Sequence, residues 1–465
     1  MSKHYKYVII GAGPTGLGAA YRLKELGVTD FVILEKESFA GGLSRSYTDD
    51  KGFTWDLGGH VQFSHYKYFD DLMNKALGEE GWLNHQRESW VWIRDRFVPY
   101  PFQNNIRQLP KDDMWACLKG IIEQYKNTNT DVPANFKEWI VRTFGQGLAD
   151  VFMFPYNFKV WAHPLEMMNY KWIGERVAIT DLAKVTENIL YEKEDISWGP
   201  NNTFQFPKHG GTGAIWLSVA ELIGMEYFNF GKDVTTIDNE KKVLNCEDGT
   251  SYTYDNIINT MPVDILTTKL KNDTNNISAV AAGLKHSSSH IIGVGLKGKP
   301  VKDLETKCWM YFPEDNCPFY RVTVFSNYSP NNVPDINQYW SLMGEVSESE
   351  YKPVDNANVL EDTIQGMLNT KLIESRDDII STWCMKLDYG YPTPSIERDD
   401  ILKKVIPVLD AQQIYSRGRF GGWKYEVSNQ DHSLMQGVEL VNMLELGINE
   451  ITFSFPAVAN AMWGK

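Results

Sequence analysis

Little in this chain points to metal, disulfide or membrane chemistry. Its 465 residues include only 5 cysteines, Cys117, Cys246, Cys308, Cys317 and Cys384, which are widely scattered and form no CxxC pair. The 9 histidines make no HExxH-type cluster. Disulfide and metal frameworks are therefore disfavoured, and the thiols suit a reducing compartment. No apolar run approaches the roughly 18–20 residues that span a bilayer. The first residues, Met-Ser-Lys-His-Tyr-Lys, lead into a motif-bearing apolar segment and not a signal-peptide pattern. The expectation is a soluble cytoplasmic protein without membrane insertion. Basic residues are in deficit, 46 Lys and Arg against 60 Asp and Glu, for a formal charge of −14. That balance argues against nucleic acid or an anionic membrane as the main partner.

The chain is nevertheless well supplied with core. It is 43% apolar and 13% aromatic, a globular composition with length for several domains. The rings either fill a large core or line a pocket for planar or sugar-like ligands, and composition does not choose.

The N-terminal residues carry the first chemistry. Tyr7-Val8-Ile9-Ile10 reads as a buried parallel strand running into Gly11-Ala12-Gly13-Pro14-Thr15-Gly16, a GxGxxG. Leu17, Ala20, Tyr21, Leu23 and Leu26 then recur at helical spacing, and Gly27 ends the helix. A second strand, Phe31-Val32-Ile33-Leu34, ends on Glu35, 19 residues past Gly16. Gly11 makes the tight turn, Gly13 admits a pyrophosphate, and Gly16 lets the helix pack on the strand. The helix N-terminus faces the phosphates and Glu35 accepts from a ribose. Gly41-Gly42-Leu43-Ser44 and Trp55-Asp56-Leu57-Gly58-Gly59-His60 follow closely. Such glycine pairs let backbone run against a bulky cofactor, which favours FAD over NAD and resembles the flavoprotein superfamily of amine oxidases.

Beyond residue 80 the texture changes twice. Helical patterns (Asp112 to Tyr125, Phe136 to Val151) are broken by Pro-rich turns, and strand-like runs such as Ile291–Gly295, Tyr320–Phe325 and Tyr339–Met343 follow. The expected architecture is α/β: a discontinuous Rossmann-type FAD-binding domain (1–79, 205–284 and 396–465) with two inserts. One is a mainly helical substrate and uridine domain (80–204), the other an antiparallel β-sheet substrate domain (285–395).

Later segments narrow the family. They are Gly59-His60-Val61-Gln62-Phe63-Ser64-His65-Tyr66, Val98-Pro99-Tyr100-Pro101-Phe102-Gln103-Asn104-Asn105, Pro155-Tyr156-Asn157-Phe158-Lys159-Val160-Trp161 and Gly174-Glu175-Arg176-Val177. Trp198-Gly199-Pro200-Asn201, Cys308-Trp309-Met310-Tyr311-Phe312-Pro313, Phe319-Tyr320-Arg321 and Gly390-Tyr391-Pro392-Thr393-Pro394 continue the series. It ends with Gly418-Arg419-Phe420 running on to Asn429-Gln430-Asp431-His432-Ser433. Over nearly the whole chain this resembles the eukaryotic-type UDP-galactopyranose mutases.

The resemblance implies interconversion of UDP-galactopyranose and UDP-galactofuranose with no net redox change. Reduced FAD supplies N5 as nucleophile to the anomeric carbon, and NADPH or NADH only primes the flavin. A cofactor-borne nucleophile explains why no Ser-His-Asp or Cys-His constellation stands out. Arg176 and Arg321 are implied on the substrate diphosphate, where guanidinium forks suit phosphate oxygens. Tyr391 and Tyr425 are implied to donate to it as well. Trp309, Tyr311 and Tyr328 form the wall around sugar and phosphates, and Asn201 and Asn429 lie near sugar and flavin. Tyr100, Phe102, Gln103, Tyr156, Asn157 and Trp161 are implied at the uridine. His60 is expected to tune the flavin in preference to transferring protons. Besides Gly11, Gly13, Thr15, Gly16 and Glu35, the implied cofactor contacts are Gly42, Leu43, Ser44, Gly58, Gly59, His60, Val234, Arg419, Asn429, Gln430 and Ser433, with no metal ligands.

Gln62 departs from the apolar residue expected in the histidine loop. The short C-terminus leaves oligomeric state open, with monomer preferred over homo-oligomer. Alternatives are an amine-oxidase-like FAD oxidoreductase, a mutase of another UDP-sugar such as UDP-arabinopyranose, and a catalytically silent flavoprotein scaffold.

Overall fold

The apolar strand Lys3–Ile10 occupies the middle of a seven-stranded sheet. It pairs in parallel with Phe31–Glu35 on one side and Ser251–Asn259 on the other. Phe228–Phe230 extends one edge in parallel, and Ile414–Ser416 joins Asn259's end of the long strand. Val234–Asp238 and Val243–Cys246 add an antiparallel margin. Residues 3–174, 177–195, 202–273 and 275–461 are described by this computed structural model; Arg176 and Asn201 lie outside the described residues.

Residues on both faces of the central strands are buried, as expected for a parallel sheet covered by helices. On one side, the helix Pro14–Glu25 lies against the long helix Gln430–Leu446. Their approach is backbone to backbone. A Cβ on Gly18 would stand 2.3 Å from the Leu434 carbonyl oxygen, and one on Gly437 would stand 2.1 Å from that of Thr15. This contact, impossible for a larger residue, sets the start of the C-terminal helix beside the glycine turn.

A second seven-stranded sheet runs in the order Ile379–Thr393, Lys285–Lys297, Tyr339–Glu348, Arg321–Val324, Trp309–Tyr311, Ser89–Ile93, Arg96–Pro99. Pairing is antiparallel except between Trp309–Tyr311 and Ser89–Ile93. The 80–204 segment, read as mainly helical, thus also supplies two strands to this sheet. It contributes the helices Lys111–Lys126, Phe136–Leu148, Phe154–Trp161 and Leu182–Leu190 as well. Phe136–Leu148 starts where Asn135 accepts from the Glu138 amide at 2.9 Å, an N-cap that satisfies one orphan donor.

The short hairpin strand Thr54–Asp56 and the residue before it are fixed to the second sheet by aromatic burial. Phe53 and Trp55, both fully buried, share a cluster with Ile291, Met343, Phe325 and Tyr328. Each such ring is worth roughly 3 kcal/mol of transfer free energy. Their packing carries the next residues, Gly58-Gly59-His60, directly onto the second sheet.

Candidate active site

A cavity of about 1040 Å³ runs between the two sheets and the helical segment. This lies at the upper end of the volumes usual for a single small-molecule site, leaving room for a cofactor together with a substrate. At one end its lining includes Gly11, Gly13, Thr15, Glu35, Gly42, Leu43, Ser44 and Val234. The three parallel strands Lys3–Ile10, Phe31–Glu35 and Ser251–Asn259 finish here, where nucleotides bind in open α/β sheets. Gly16 does not line the cavity; a Cβ on it would meet the Gly11 carbonyl oxygen at 2.0 Å, so it serves helix–strand packing. Glu35 is buried and accepts from the Ala12 amide at 2.7 Å and the Glu37 amide at 3.0 Å. Its carboxylate is thereby held at the strand end with capacity for further donors.

The start of the helix Gln430–Leu446 forms the next wall. Asn429 is its N-cap, and Asn429, Gln430 and Ser433 line the cavity. Gln430 accepts from Trp216 Nε1 at 2.7 Å, and the Ser433 hydroxyl donates to the Ser428 carbonyl at 3.3 Å. Asp431, buried but also bordering the cavity, accepts from His65 through the ring Nδ1 at 2.7 Å and the backbone amide at 3.1 Å. Burial would raise its pKa, but His432 and His65 hold it well below the carboxylate range.

Gly58, Gly59 and His60 reach the middle of the cavity. Burial pushes the His60 imidazole down to about 4; Glu345 opposes the shift and Arg321 and Arg419 reinforce it. His60 is therefore neutral at physiological pH, and its Nδ1 has no partner among the described residues. Gln62 forms a two-way backbone bridge with Gln205, both bonds 2.9 Å, which anchors this loop.

Arg321 enters from the second sheet. Its Nε donates to Glu345 Oε1 at 2.7 Å and its Nη2 to Oε2 at 2.9 Å. Burial of Glu345 works against its ionisation, yet the Arg321 guanidinium and the Tyr320 hydroxyl keep its pKa below the usual value. Arg419 donates to Ser428 Oγ at 2.9 Å and to the Gly390 carbonyl at 3.1 Å, and lies 4.9 Å from the Tyr391 ring centroid. A cation over an electron-rich ring is favourable and keeps that ring in place.

The far end is aromatic. Tyr156 packs edge-on to Tyr311 at 5.4 Å, and Tyr100 lies 5.4 Å from Tyr311. Trp161 meets Tyr425 at 4.8 Å and Tyr391 at 5.8 Å. Trp309 donates through Nε1 to the Tyr311 hydroxyl at 2.5 Å. Gln103 donates to the Ala178 carbonyl, leaving its Oε1 without a partner among the described residues; Asn157 donates to the Met153 carbonyl at 2.8 Å. Burial raises the pKa of Tyr100, Tyr156, Tyr328 and Tyr391, so each remains a protonated phenol at neutral pH.

Besides Gly16, a second expected contact is displaced. Phe102 is fully buried and does not line the cavity. It packs 4.4 Å from Phe152, which stacks on Tyr156 at 5.2 Å, so it backs the aromatic wall instead of facing it. The structure also brings in residues that the sequence reading missed. Glu345 stands out in retrospect as an acid inside the apolar strand Tyr339–Glu348, and Tyr320 lay within a quoted motif without a role. Arg87, 4.8 Å from the Tyr100 ring and 5.6 Å from Trp309, carried no signal at all.

Comparison with known proteins matches residues 14–306 to the flavin containing amine oxidoreductase family. A crystal structure of reduced UDP-galactopyranose mutase superposes with a TM-score of 0.96 at 49% identity, covering 98% of this chain and 97% of that one. A protein described as "probable flavin-containing monoamine oxidase A" of Dictyostelium discoideum is 32% identical over 138 residues, 29% of each chain. A Baeyer-Villiger monooxygenase of Streptomyces coelicolor is 49% identical over 131 residues, 28% of this chain and 24% of its own length. Against these two curated relatives the chain thus matches less than a third of their length. Among the described residues no helix is long and apolar enough to cross a membrane.

Proposed function

The chain belongs to the flavin-containing amine oxidoreductase family and, within it, to the UDP-galactopyranose mutases, and we propose that it interconverts UDP-galactopyranose and UDP-galactofuranose. The observation that carries this reading is the continuous cavity that joins the glycine turn and Glu35 to Arg321 and the aromatic end.

The residues present fit a dinucleotide flavin, FAD. A Cβ on Gly42 would lie 2.9 Å from the Gly13 Cα, so these two glycines make a cradle that only bare backbone can form. Pyrophosphate oxygens would take the amides of the glycine turn and the start of the helix Pro14–Glu25. Glu35 would hold the ribose, and Asn429, Gln430 and Ser433 would border the ring system. When bound and reduced, the flavin supplies the nucleophilic N5 for the anomeric carbon. NADPH or NADH is the proposed source of its electrons.

The remaining work falls to this chain's side chains. Arg321, joined by Tyr391 and Tyr425, would hold the diphosphate and stabilise the charge that develops as the glycosyl bond breaks. Tyr391, as a protonated phenol, donates to oxygen at neutral pH. The uracil would sit against Tyr156, Tyr100 and Trp161, with Gln103 Oε1 available to a ring N–H. Trp309, Tyr311 and Tyr328 would exclude water from the sugar. Neutral His60 offers a hydrogen bond and no charge. Arg176 and Asn201, which lie outside the described residues, would join these side chains at the diphosphate and the sugar. The protein would act in the cytoplasm, as a monomer.

The test is direct. Purified holoenzyme, reduced anaerobically with dithionite, is given UDP-galactofuranose and the products are separated by chromatography. Formation of UDP-galactopyranose by the reduced enzyme and none by the oxidised enzyme is expected. Peroxide release on turnover of an amine, with no response to UDP, would replace this reading with an amine oxidase. Conversion of UDP-arabinopyranose in preference would change the sugar and keep the chemistry.

A further inference from the structure

Glu345 sits where a carboxylate is expensive. Eight successive residues of its strand, Trp340 to Ser347, are buried, and Glu345 itself is only 2% exposed. An unpaired charge there would cost several kcal/mol. Four hydrogen bonds from three points offset this: Arg321 Nε and Nη2 at 2.7 and 2.9 Å, the Tyr320 hydroxyl at 2.6 Å, and the Gly59 amide at 3.0 Å. Gly59 belongs to the turn that carries His60, whereas Arg321 is the neighbour across the second sheet, in register with Glu345. One carboxylate therefore ties the flavin-side loop to the anion-facing arginine.

The guanidinium geometry decides what this does. Arginine presents five N–H donors in a rigid plane. Glu345 takes the side edge, Nε and one hydrogen of Nη2. The end edge, Nη1 with the other Nη2 hydrogen, is uncommitted in the bonds described, and Arg321 lines the cavity with 22% of its side chain exposed. Because the group is planar, anchoring one edge aims the other.

We propose that Glu345 is a positioning residue, aiming the free edge of Arg321 at the ligand's diphosphate and holding the Gly59–His60 turn against the same group. This rests on the reading of Arg321 as a diphosphate ligand. The sign of its effect is informative. A buried negative charge near an anion site repels the anion, so simple electrostatics makes Glu345 a competitor whose removal tightens binding. Positioning makes the opposite forecast.

The experiment titrates UDP by calorimetry into FAD-loaded, dithionite-reduced wild type, Glu345→Gln, Arg321→Ala and the double variant. Glu345→Gln is expected to weaken UDP about 10- to 100-fold. In the Arg321→Ala background the same change is expected to cost less than about twofold, because its effect passes through the arginine. A merely structural role would lower affinity in both backgrounds alike. Unchanged or tighter UDP binding by Glu345→Gln, or full additivity in the cycle, overturns the proposal. If Glu345→Gln does not retain FAD, Glu345→Asp keeps the charge but shortens the reach. It is then expected to weaken UDP likewise, and wild-type affinity would overturn the proposal. Failure of wild type to bind UDP would instead remove the functional reading beneath it.

Discussion

The Tyr156 ring stands edge-on to the Tyr311 ring with centroids 5.4 Å apart, joining the helix Phe154–Trp161 to the strand Trp309–Tyr311. This is where the helical segment and the second sheet close the aromatic end of the cavity. Phe152 braces Tyr156 from the other side in a near-parallel stack. Tyr156→Ala would remove a stacking face and is expected to weaken UDP about 10- to 100-fold. FAD content and the affinity for inorganic pyrophosphate should not change, and calorimetry with both ligands checks this. Equal losses for the two ligands would place the ring elsewhere than at the base.

Arg321→Ala removes the cation at the middle of the cavity and leaves Glu345 buried without its main partner. UDP affinity is expected to fall at least about 100-fold, with FAD retained because the glycine turn is untouched. Absorbance of the bound flavin and a UDP titration read the two effects separately. Normal UDP binding in this variant would refute the assignment.

How much of this site could be read from residues alone depends on the range of the interactions. The strand Lys3–Ile10, the turn at Gly11 and the acid at Glu35 are set by local periodicity and glycine geometry, so they were legible, as were the helices spanning residues 111–126 and 136–148. The pairing of Arg321 with Glu345 spans 24 residues and depends on sheet register, which no local pattern records. The hairpin Ser89–Pro99 likewise joins its sheet through the pairing of Ser89 with Trp309, 220 residues later. Phe102 shows the same limit at the scale of one side chain. Pro-Tyr-Pro-Phe announces a rigid turn, but only the packing of Phe152 behind Tyr156 determines which ring faces the cavity.

Gly16→Ala tests the nucleotide end. The added methyl would meet the Gly11 carbonyl oxygen at 2.0 Å and the Ile9 side chain at 3.3 Å. The helix must move off the strand, so the purified variant is expected to hold at least about 10-fold less FAD per chain and to melt several degrees lower, a drop of roughly 1–3 kcal/mol. Wild-type flavin content would show that the turn does not bind the cofactor.

Asp56 supplies a pH signature. It is fully buried and accepts from Thr212 Oγ1 at 2.7 Å and from Ser46. Burial outweighs these bonds and raises its carboxyl from 3.8 to about 6. A folded pKa above the unfolded one means that the folded state binds the proton more tightly. Stability is therefore lost as pH rises from about 4 through 6, by about 3 kcal/mol in all. Asp56→Asn cannot ionise, so its stability relative to wild type is expected to improve between pH 4.5 and 7.5. Urea unfolding at the two pH values measures it, and a relative stability that is constant or falls would contradict this account.

His60 is expected to remain neutral in the holoenzyme from about pH 5.5 to 8, because burial has moved its pKa to about 4. NMR of histidine-labelled protein would follow the ring, its resonance assigned by its loss in a His60→Gln variant. An inflection near 6.5 would show an imidazole open to solvent.

The central claim is that the flavin works without net oxidation of the sugar. The measurement that addresses it most directly is the anaerobic ratio of UDP-galactopyranose formed to NADPH consumed, with UDP-galactofuranose as substrate. Many products are expected for each NADPH, since electrons are needed only to prime the enzyme. One product for each NADPH, or none, would contradict it.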